Sequence, residues 1–264
     1  MSKTIASSNN SKIKLVRNLQ GRNRYRQNEK AFIAEGVRLL EEAYAAIWPT
    51  RVILYDDSLS ERGKVLLEKL TNLTEVEIAE ITPKLMAEIS DTETPQGILA
   101  VLDLKPLPLP ANPTFVIIAD QIRDPGNLGT LLRTAQAVSA DAVLLTRGTV
   151  DAFSPKVVRS GMGAQFRLPI HTLDAKTIKA YLDNLTIFLA DASNGTPLWQ
   201  VDMVQPCALL IGGEAFGAST IGEELSAKHV TIPMGGRAES LNAAIAGGIL
   251  MAEVLRQRYQ EDKD

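Results

Sequence analysis

Short, continuous apolar runs separate segments with helical spacing in the second half of this chain. The run Phe115–Ala119 is uninterrupted, and similar runs occur at Ala142–Thr146, Thr186–Ala190, Cys207–Ile211 and His229–Ile232. Uninterrupted runs of this length are typical of strands that are buried on both faces. Because helical patterns lie between them, we predict a parallel sheet with helices on both sides.

The first hundred residues also alternate between helical and strand-like patterns. Helices are predicted at Ser11–Gln20, Gly36–Ile47, Glu61–Leu70 and Pro83–Ile89, and strands at Phe32–Ile33, Arg51–Tyr55, Val76–Ile78 and Ile98–Leu102. In the second half, the predicted helices are Leu128–Val138, Pro155–Ser160, Ala175–Asn184 and Leu241–Tyr259. Asn127 and Ser240 are the candidate caps of the first and last of these. The predicted fold class is therefore α/β, with a smaller α/β/α domain before a parallel-sheet domain.

A proline-rich segment divides the two patterns. The sequence KPLPLPANP at residues 105–113 has four prolines in nine residues. Because proline fixes the backbone and removes hydrogen-bond donors, we predict that this segment is an extended linker. The predicted domains are residues 1–104 and 114–264, joined by the linker at 105–113.

Composition narrows the class of protein. The chain has 264 residues, 45% hydrophobic and 22% charged, as in ordinary globular proteins. No apolar run approaches the roughly 20 residues of a membrane-spanning helix, and the N-terminal residues have no apolar core of a secretory signal. Cys207 is the only cysteine and has no disulfide partner within the chain. We therefore expect a cytoplasmic protein without membrane association.

The chain has a formal net charge of −3, but its first 30 residues are strongly basic. Residues 1–30 carry eight basic side chains and one acid. Such a local excess suits a phosphate-binding surface, and a solvated helical face without a partner is an equally open alternative. The candidate RNA-binding residues here are Lys12, Lys14, Arg22, Arg24 and Arg26.

Three polar, glycine-bearing motifs follow predicted strand ends, where parallel sheets bind their ligands. The motifs are ADQIRDPGNLGTLLRTA with Asn127 and Arg133, IGGEAFG with Gly212, Gly213, Glu214 and Gly217, and IPMGGRAESLN with Ile232, Met234, Ser240, Leu241 and Asn242. Glycines let a ligand approach the backbone closely. Taken singly, each motif equally fits an ordinary turn or a capped helix.

Other familiar site signatures do not occur in the sequence. It has neither GxGxxG after a strand nor GxxxxGK[ST], which disfavours a nucleotide-dependent oxidoreductase and a P-loop enzyme. His171 and His229 are far apart and have no clustered cysteine or histidine, so we expect no metal site.

The three motifs, in this order and spacing, resemble the SpoU/TrmH branch of the SPOUT methyltransferases over about residues 115–258. The opening half, with EKAFIAEGVRLLEEA and TPQGILAVL, is similar to the L30e-like substrate-binding domain of that branch. The resemblance implies a deep trefoil knot in the second domain, a homodimer, and S-adenosylmethionine as methyl donor. It implies methylation of a ribose 2′-hydroxyl in RNA, with ribosomal RNA ranked before transfer RNA because of the additional domain.

The resemblance also implies roles for the motif residues. Arg133 matches the catalytic arginine of the family, and Asn127, Glu214, Ser240 and Asn242 match its other polar motif positions. The cofactor-binding positions by the same resemblance are Gly212, Gly213, Gly217, Ile232, Met234 and Leu241. A catalytically silent RNA-binding or ribosome-assembly protein is the alternative from another functional class.

Overall fold

The computed structural model describes residues 4–72, 76–213, 220–225, 228–236 and 239–261. The chain forms two compact units. The first comprises Met1–Lys105 together with Phe153–Phe166, and the second comprises Pro106–Ala152 together with Arg167–Asp264. The proline-rich residues 105–113 contain no helix or strand.

Helices and strands alternate through both units. Up to residue 105 they are α1 (Ser11–Gly21), α2 (Asn23–Glu29), β1 (Ala31–Glu35), α3 (Val37–Ala45), β2 (Thr50–Tyr55), α4 (Glu61–Thr71), β3 (Glu77–Glu80), α5 (Pro83–Ile89) and β4 (Ile98–Asp103). Beyond it they are β5 (Phe115–Asp120), α6 (Pro125–Ala137), β6 (Ala142–Leu145), α7 (Pro155–Ser160), β7 (Ile170–Thr172), α8 (Ala175–Tyr181), β8 (Thr186–Ala190), β9 (Thr196–Pro197), β10 (Cys207–Gly212), α9 (Thr220–Leu225), β11 (Lys228–Thr231) and α10 (Ala243–Glu261). The pattern had not predicted the short elements α2, β7, β9 and α9.

The first unit is built on a mixed four-stranded sheet in the order β1-β4-β2-β3. Strand β4 runs antiparallel to β1 and β2, whereas β2 and β3 are parallel. One face of the sheet packs on α1 and α5 through fully buried side chains such as Ile13, Leu19 and Ile89. The amphipathic spacing of α1 thus places its apolar side in the core and its polar side in solvent.

An aromatic cluster joins residues 153–166 to the first unit. The ring centroid of Phe32 lies 5.1 Å from that of Phe153 and 6.2 Å from that of Phe166. The ring centroids of Trp48 and Phe166 are 5.2 Å apart. Helix α7, between these two phenylalanines, packs against β1. This segment therefore shares the core of the first unit, although its sequence neighbours belong to the second.

The second unit contains a seven-stranded sheet in the order β7-β6-β5-β10-β8-β11-β9. All six strand pairs are parallel, as predicted from the uninterrupted apolar runs. Strands β5 and β10 occupy the middle and are buried almost throughout. Strand β11 lies between β8 and β9, which are consecutive in the chain. The trefoil knot implied by the resemblance stays a prediction.

Two helix caps differ from the sequence interpretation. Helix α6 begins at Pro125, and Asp124 rather than Asn127 caps it by accepting a 2.8 Å hydrogen bond from the Asn127 amide. Helix α10 begins at Ala243, and the Asn242 side chain rather than that of Ser240 accepts from the first-turn amides. Both differences arise because two capping residue types stand close together, and propensity alone does not choose between them.

Candidate functional site

A cavity of about 180 Å³ lies at the carboxyl ends of β8, β10 and β11 in the second unit. Six residues selected from the sequence meet in its wall, namely Gly212, Gly213, Ile232, Met234, Ser240 and Leu241. The first turns of α10 complete the wall with Ala243, Ala246 and Leu250. The cavity thus combines glycine backbone and aliphatic side chains with few polar groups, as ligand pockets commonly do.

Gly213 is held against the end of β5, the strand paired with β10. A Cβ atom on Gly213 would lie 2.6 Å from the carbonyl oxygen of Gln121, closer than atoms can approach. Gln121 itself has a left-handed backbone with φ of 51°, and its amide donates to the Thr146 hydroxyl at 3.1 Å. The close approach of two backbones therefore requires glycine at position 213.

Asn127 and Asn242 form a bridge beside the cavity. The Asn242 amide nitrogen donates to the Asn127 side-chain oxygen at 2.8 Å, across 115 positions of sequence. The Asn242 oxygen accepts from the amides of Ala244 at 2.9 Å and Ile245 at 3.2 Å, which orients its nitrogen towards Asn127. The bridge thus connects the starts of α6 and α10.

Arg133 lies on the exposed side of α6, and it does not line the cavity. Within the described part of the chain, its guanidinium has no hydrogen-bond or ion-pair partner. An exposed arginine without a protein partner retains all five donors for a ligand such as phosphate. Among the residues that the structure describes, Arg133 is therefore joined neither to the Asn127–Asn242 bridge nor to another side chain.

Two of the selected positions, Glu214 and Gly217, lie outside the described residues. Their roles stay predictions.

Asp191 lines the cavity but belongs to none of the three motifs, so the sequence analysis did not predict it. Burial alone would raise the pKa of its carboxyl group. Hydrogen bonds from the backbone amides of Asn194 and Ser193 and from the His229 ring outweigh this effect, and the pKa is lowered overall. The available sequence signal was its place directly after a buried parallel strand, where ligand-binding residues of such sheets concentrate.

The basic residues of the opening segment have different surroundings in the first unit. Lys14, Arg22 and Arg24 are exposed, whereas the Lys12 ammonium is 2.9 Å from a carboxylate oxygen of Glu77. Arg26 departs from the prediction of RNA contact because it is only 4% exposed. Its guanidinium donates to backbone carbonyls at the end of α1.

Two absences concern the described residues 4–72, 76–213, 220–225, 228–236 and 239–261. No cluster of three or more His, Cys, Asp and Glu side chains there is arranged to hold a metal ion. No helix in the same ranges is long and apolar enough to cross a membrane.

Comparison with protein families divides the chain in a similar way. Residues 114–252 match the SpoU rRNA Methylase family. Residues 10–100 match the MRM3-like substrate binding domain. The first match covers the sheet, the cavity and all three motifs.

Full-length relatives extend the similarity. The chain is 33% identical over 254 residues to the Bacillus subtilis 23S rRNA (guanosine(2553)-2′-O)-methyltransferase RlmP, covering 94% of this chain and 98% of the relative. It is 30% identical over 265 residues to the 23S rRNA (uridine(2479)-2′-O)-methyltransferase of Streptomyces viridochromogenes, covering 96% and 92%.

Solved structures with the bound methyl donor share the fold. The SpoU methyltransferase AviRb from S. viridochromogenes in complex with AdoMet has a TM-score of 0.84 and 28% identity, covering 95% of this chain and 100% of that one. The AdoMet-bound rRNA methyltransferase from Sinorhizobium meliloti has a TM-score of 0.85 and 27% identity, covering 97% and 98%. Two of its motifs line one cavity and the first is linked to the third by the Asn127–Asn242 bridge. This chain belongs to the SpoU rRNA methylase family, whose members transfer a methyl group from S-adenosylmethionine to a ribose 2′-hydroxyl of RNA.

Proposed function

We propose that this protein methylates a ribose of ribosomal RNA, and that residues of the cavity and the adjoining bridge perform the reaction. The single observation that carries the proposal is the meeting of six motif residues in one cavity beside the Asn127–Asn242 bridge. The names of the bacterial relatives support ribosomal RNA as substrate, with 23S rRNA as the first molecule to test.

The cavity fits S-adenosylmethionine by the chemistry of its wall. Ile211, Val230, Ile232 and Leu250 offer apolar surface for the adenine and the methionine chain, and the Gly212–Gly213 backbone offers polar groups without side chains in the way. When bound, the cofactor supplies an electrophilic methyl group on its sulfonium sulfur. The residues of the chain must bring the ribose hydroxyl to that methyl and help it lose its proton.

Arginine is better suited to hold a phosphate than to accept a proton, because a guanidinium keeps its positive charge in proteins and offers only donors. We assign Arg133 to a bidentate contact with the RNA backbone, which orients the ribose and polarises its hydroxyl. The side chains of Ser240 and Asn242 then position the sugar from the start of α10. Alignment of this kind can lower a barrier by roughly 7–11 kcal/mol at best.

The first unit is proposed to hold the RNA outside the reaction site. The exposed cations Lys14, Arg22 and Arg24 face solvent on α1, α2 and their junction. Phosphate contacts of this kind release counterions, so binding should weaken steeply as salt rises. Substituting Arg22 and Arg24 with glutamine should reduce the slope of log K against log salt by about one per lost contact.

A second copy of this chain is proposed to cover an apolar face of α10. Ile245, Ile249, Leu255 and Tyr259 are 38–60% exposed and lie on one side of this helix. A continuous exposed apolar stripe is typical of a subunit interface, and a twofold dimer uses the same face twice. Sedimentation should show a dimer that Ile249→Arg dissociates. Val65→Arg, on a 52% exposed residue of α4, is the control that should leave it intact.

The proposed place of action is the cytoplasm, where bacterial ribosomes reside. This location rests on the bacterial relatives named as 23S rRNA enzymes.

Transfer of radiolabelled methyl groups tests the activity. The acceptors are rRNA and, separately, tRNA, each purified from cells that lack the gene. We expect labelled rRNA, with the label in a 2′-O-methylated nucleoside. Arg133→Ala should remove nearly all transfer, whereas Lys179→Ala, a similarly exposed cation on α8, should not. Label in tRNA alone would support the transfer-RNA alternative, and absence of cofactor binding by calorimetry would support a silent RNA-binding protein.

A further inference from the structure

The loop at residues 191–195 connects β8 to β9 and contacts β11, the strand that lies between these two in the sheet. The backbone amide of Asp191 donates to the carbonyl of Val230 in β11 at 2.9 Å. A Cβ atom on Gly195, at the other end of the loop, would lie 2.9 Å from the amide nitrogen of Thr231. The loop and β11 are therefore in direct backbone contact at both ends of the loop.

One carboxylate organises this loop. The Asp191 Oδ1 atom accepts from the amides of Ser193 at 2.9 Å and Asn194 at 3.0 Å, which bends the chain. The Oδ2 atom lies 2.9 Å from Nδ1 of His229 in β11. Asp191 therefore ties its own loop to the neighbouring strand through its side chain as well as its backbone.

The tied segments form one side of the cofactor cavity. Ala190 lines it from the end of β8, Asp191 and Ala192 line it from the loop, and Val230 and Ile232 line it from β11 and its continuation. The His229 side chain is itself absent from the lining and 45% exposed. The histidine can therefore influence a ligand in the cavity only through the residues it holds.

We propose that His229 and Asp191 form a positioning pair that fixes this wall of the cavity and thereby sets the affinity for S-adenosylmethionine. This role requires neither contact with the RNA nor proton transfer by the pair. Its loss lets the loop move away from β11, so that the wall is no longer preorganised and the ligand must order it on binding. The proposal rests on the cofactor-binding role of this cavity.

Two substitutions at position 229 separate positioning from general structure. His229→Phe keeps an aromatic ring but removes the donor to Asp191. His229→Asn keeps a donor close to the position of Nδ1. Binding of S-adenosylmethionine alone, measured by calorimetry, should weaken about tenfold in the phenylalanine variant, as expected for loss of a hydrogen bond to a charged group. The asparagine variant should recover most of the affinity.

The second histidine of the chain supplies a matched control. His171 lies in the same unit, and its ring nitrogen Nε2 is 2.7 Å from the backbone carbonyl of Leu107, away from the cavity wall. His171→Phe should therefore bind the cofactor like the natural protein.

Steady-state kinetics provide the second readout. In His229→Phe, KM for S-adenosylmethionine should rise about tenfold, whereas kcat at saturating cofactor and KM for rRNA should change less than about twofold. Unchanged cofactor affinity in His229→Phe, or equal weakening in His171→Phe, would overturn the positioning role. Calorimetry needs no RNA, so a failure to methylate rRNA would contradict the proposed substrate without affecting this result.

Discussion

Among the described residues, the Asn242 side chain caps a helix and forms a bridge, and substitution can remove one of these contacts without the other. Its oxygen caps α10, and its nitrogen donates to Asn127. Asn242→Ala removes both. Asn242→Ser keeps a capping oxygen, because serine caps helices about as well as asparagine, but its short side chain cannot reach Asn127. Asn127→Ala removes the bridge from the other side and leaves the cap in place.

The structure gives each variant an expected magnitude. Loss of the cap in Asn242→Ala should cost about 1 kcal/mol of unfolding free energy, or about 2–4 °C in the melting temperature of a protein of this size. Asn242→Ser should stay within about 0.5 kcal/mol of the natural protein. All three variants should lose about 10- to 100-fold in kcat/KM for rRNA, because small displacements of positioning groups have effects of that size.

Calorimetric melting and methyl transfer measure the two effects separately. We expect Asn242→Ser to melt like the natural protein while it loses activity like Asn127→Ala. A fully active serine variant would show that the bridge does not position the substrate. An alanine variant that melts like the serine variant would show that the cap contributes no stability.

Three further predictions follow from individual contacts. Gly213→Ala should weaken S-adenosylmethionine binding at least tenfold by calorimetry, because the added methyl group displaces the backbone from Gln121; unchanged affinity would contradict the close approach. Arg26→Gln should lower the unfolding free energy by about 1–3 kcal/mol, because its two carbonyl partners in α1 lose a buried charged donor, whereas exposed Arg24→Gln should not. Burial raises the pKa of the Cys207 thiol to about 11, so iodoacetamide at pH 8 should modify it far more slowly in the native protein than in urea; equal rates would refute its burial.

The alternation of apolar runs and helical spacing was sufficient to predict the fold class. Strands such as β5 and β10 sit in the middle of a sheet, so both of their faces select apolar residues and the pattern is unambiguous. The pattern failed for β9, which has two residues at the edge of the sheet. So short a strand is defined by its pairing with β11, and pairing across the chain leaves no local periodicity.

The site was predictable where a motif and a strand end coincided. Gly212, Ile232 and Leu241 were identified by motif resemblance and do line the cavity. Asp191 belongs to no motif, because its role depends on His229 thirty-eight positions later. Arg26 was predicted to contact RNA because a charged side chain is usually exposed. Its guanidinium is instead buried, because it donates to carbonyl oxygens at the end of a helix.

The aromatic cluster around Phe32 determines how the molecule can be divided experimentally. A fragment starting at Pro106 would contain Phe153 and Phe166 but not Phe32 or Trp48, the rings they pack against. A fragment ending at residue 105 would uncover the opposite side of the same contact. Both pieces would present apolar surface to water and self-associate. Isolated-domain work on this enzyme therefore needs a grafted copy of residues 153–166 on the amino-terminal piece and polar replacements in the other.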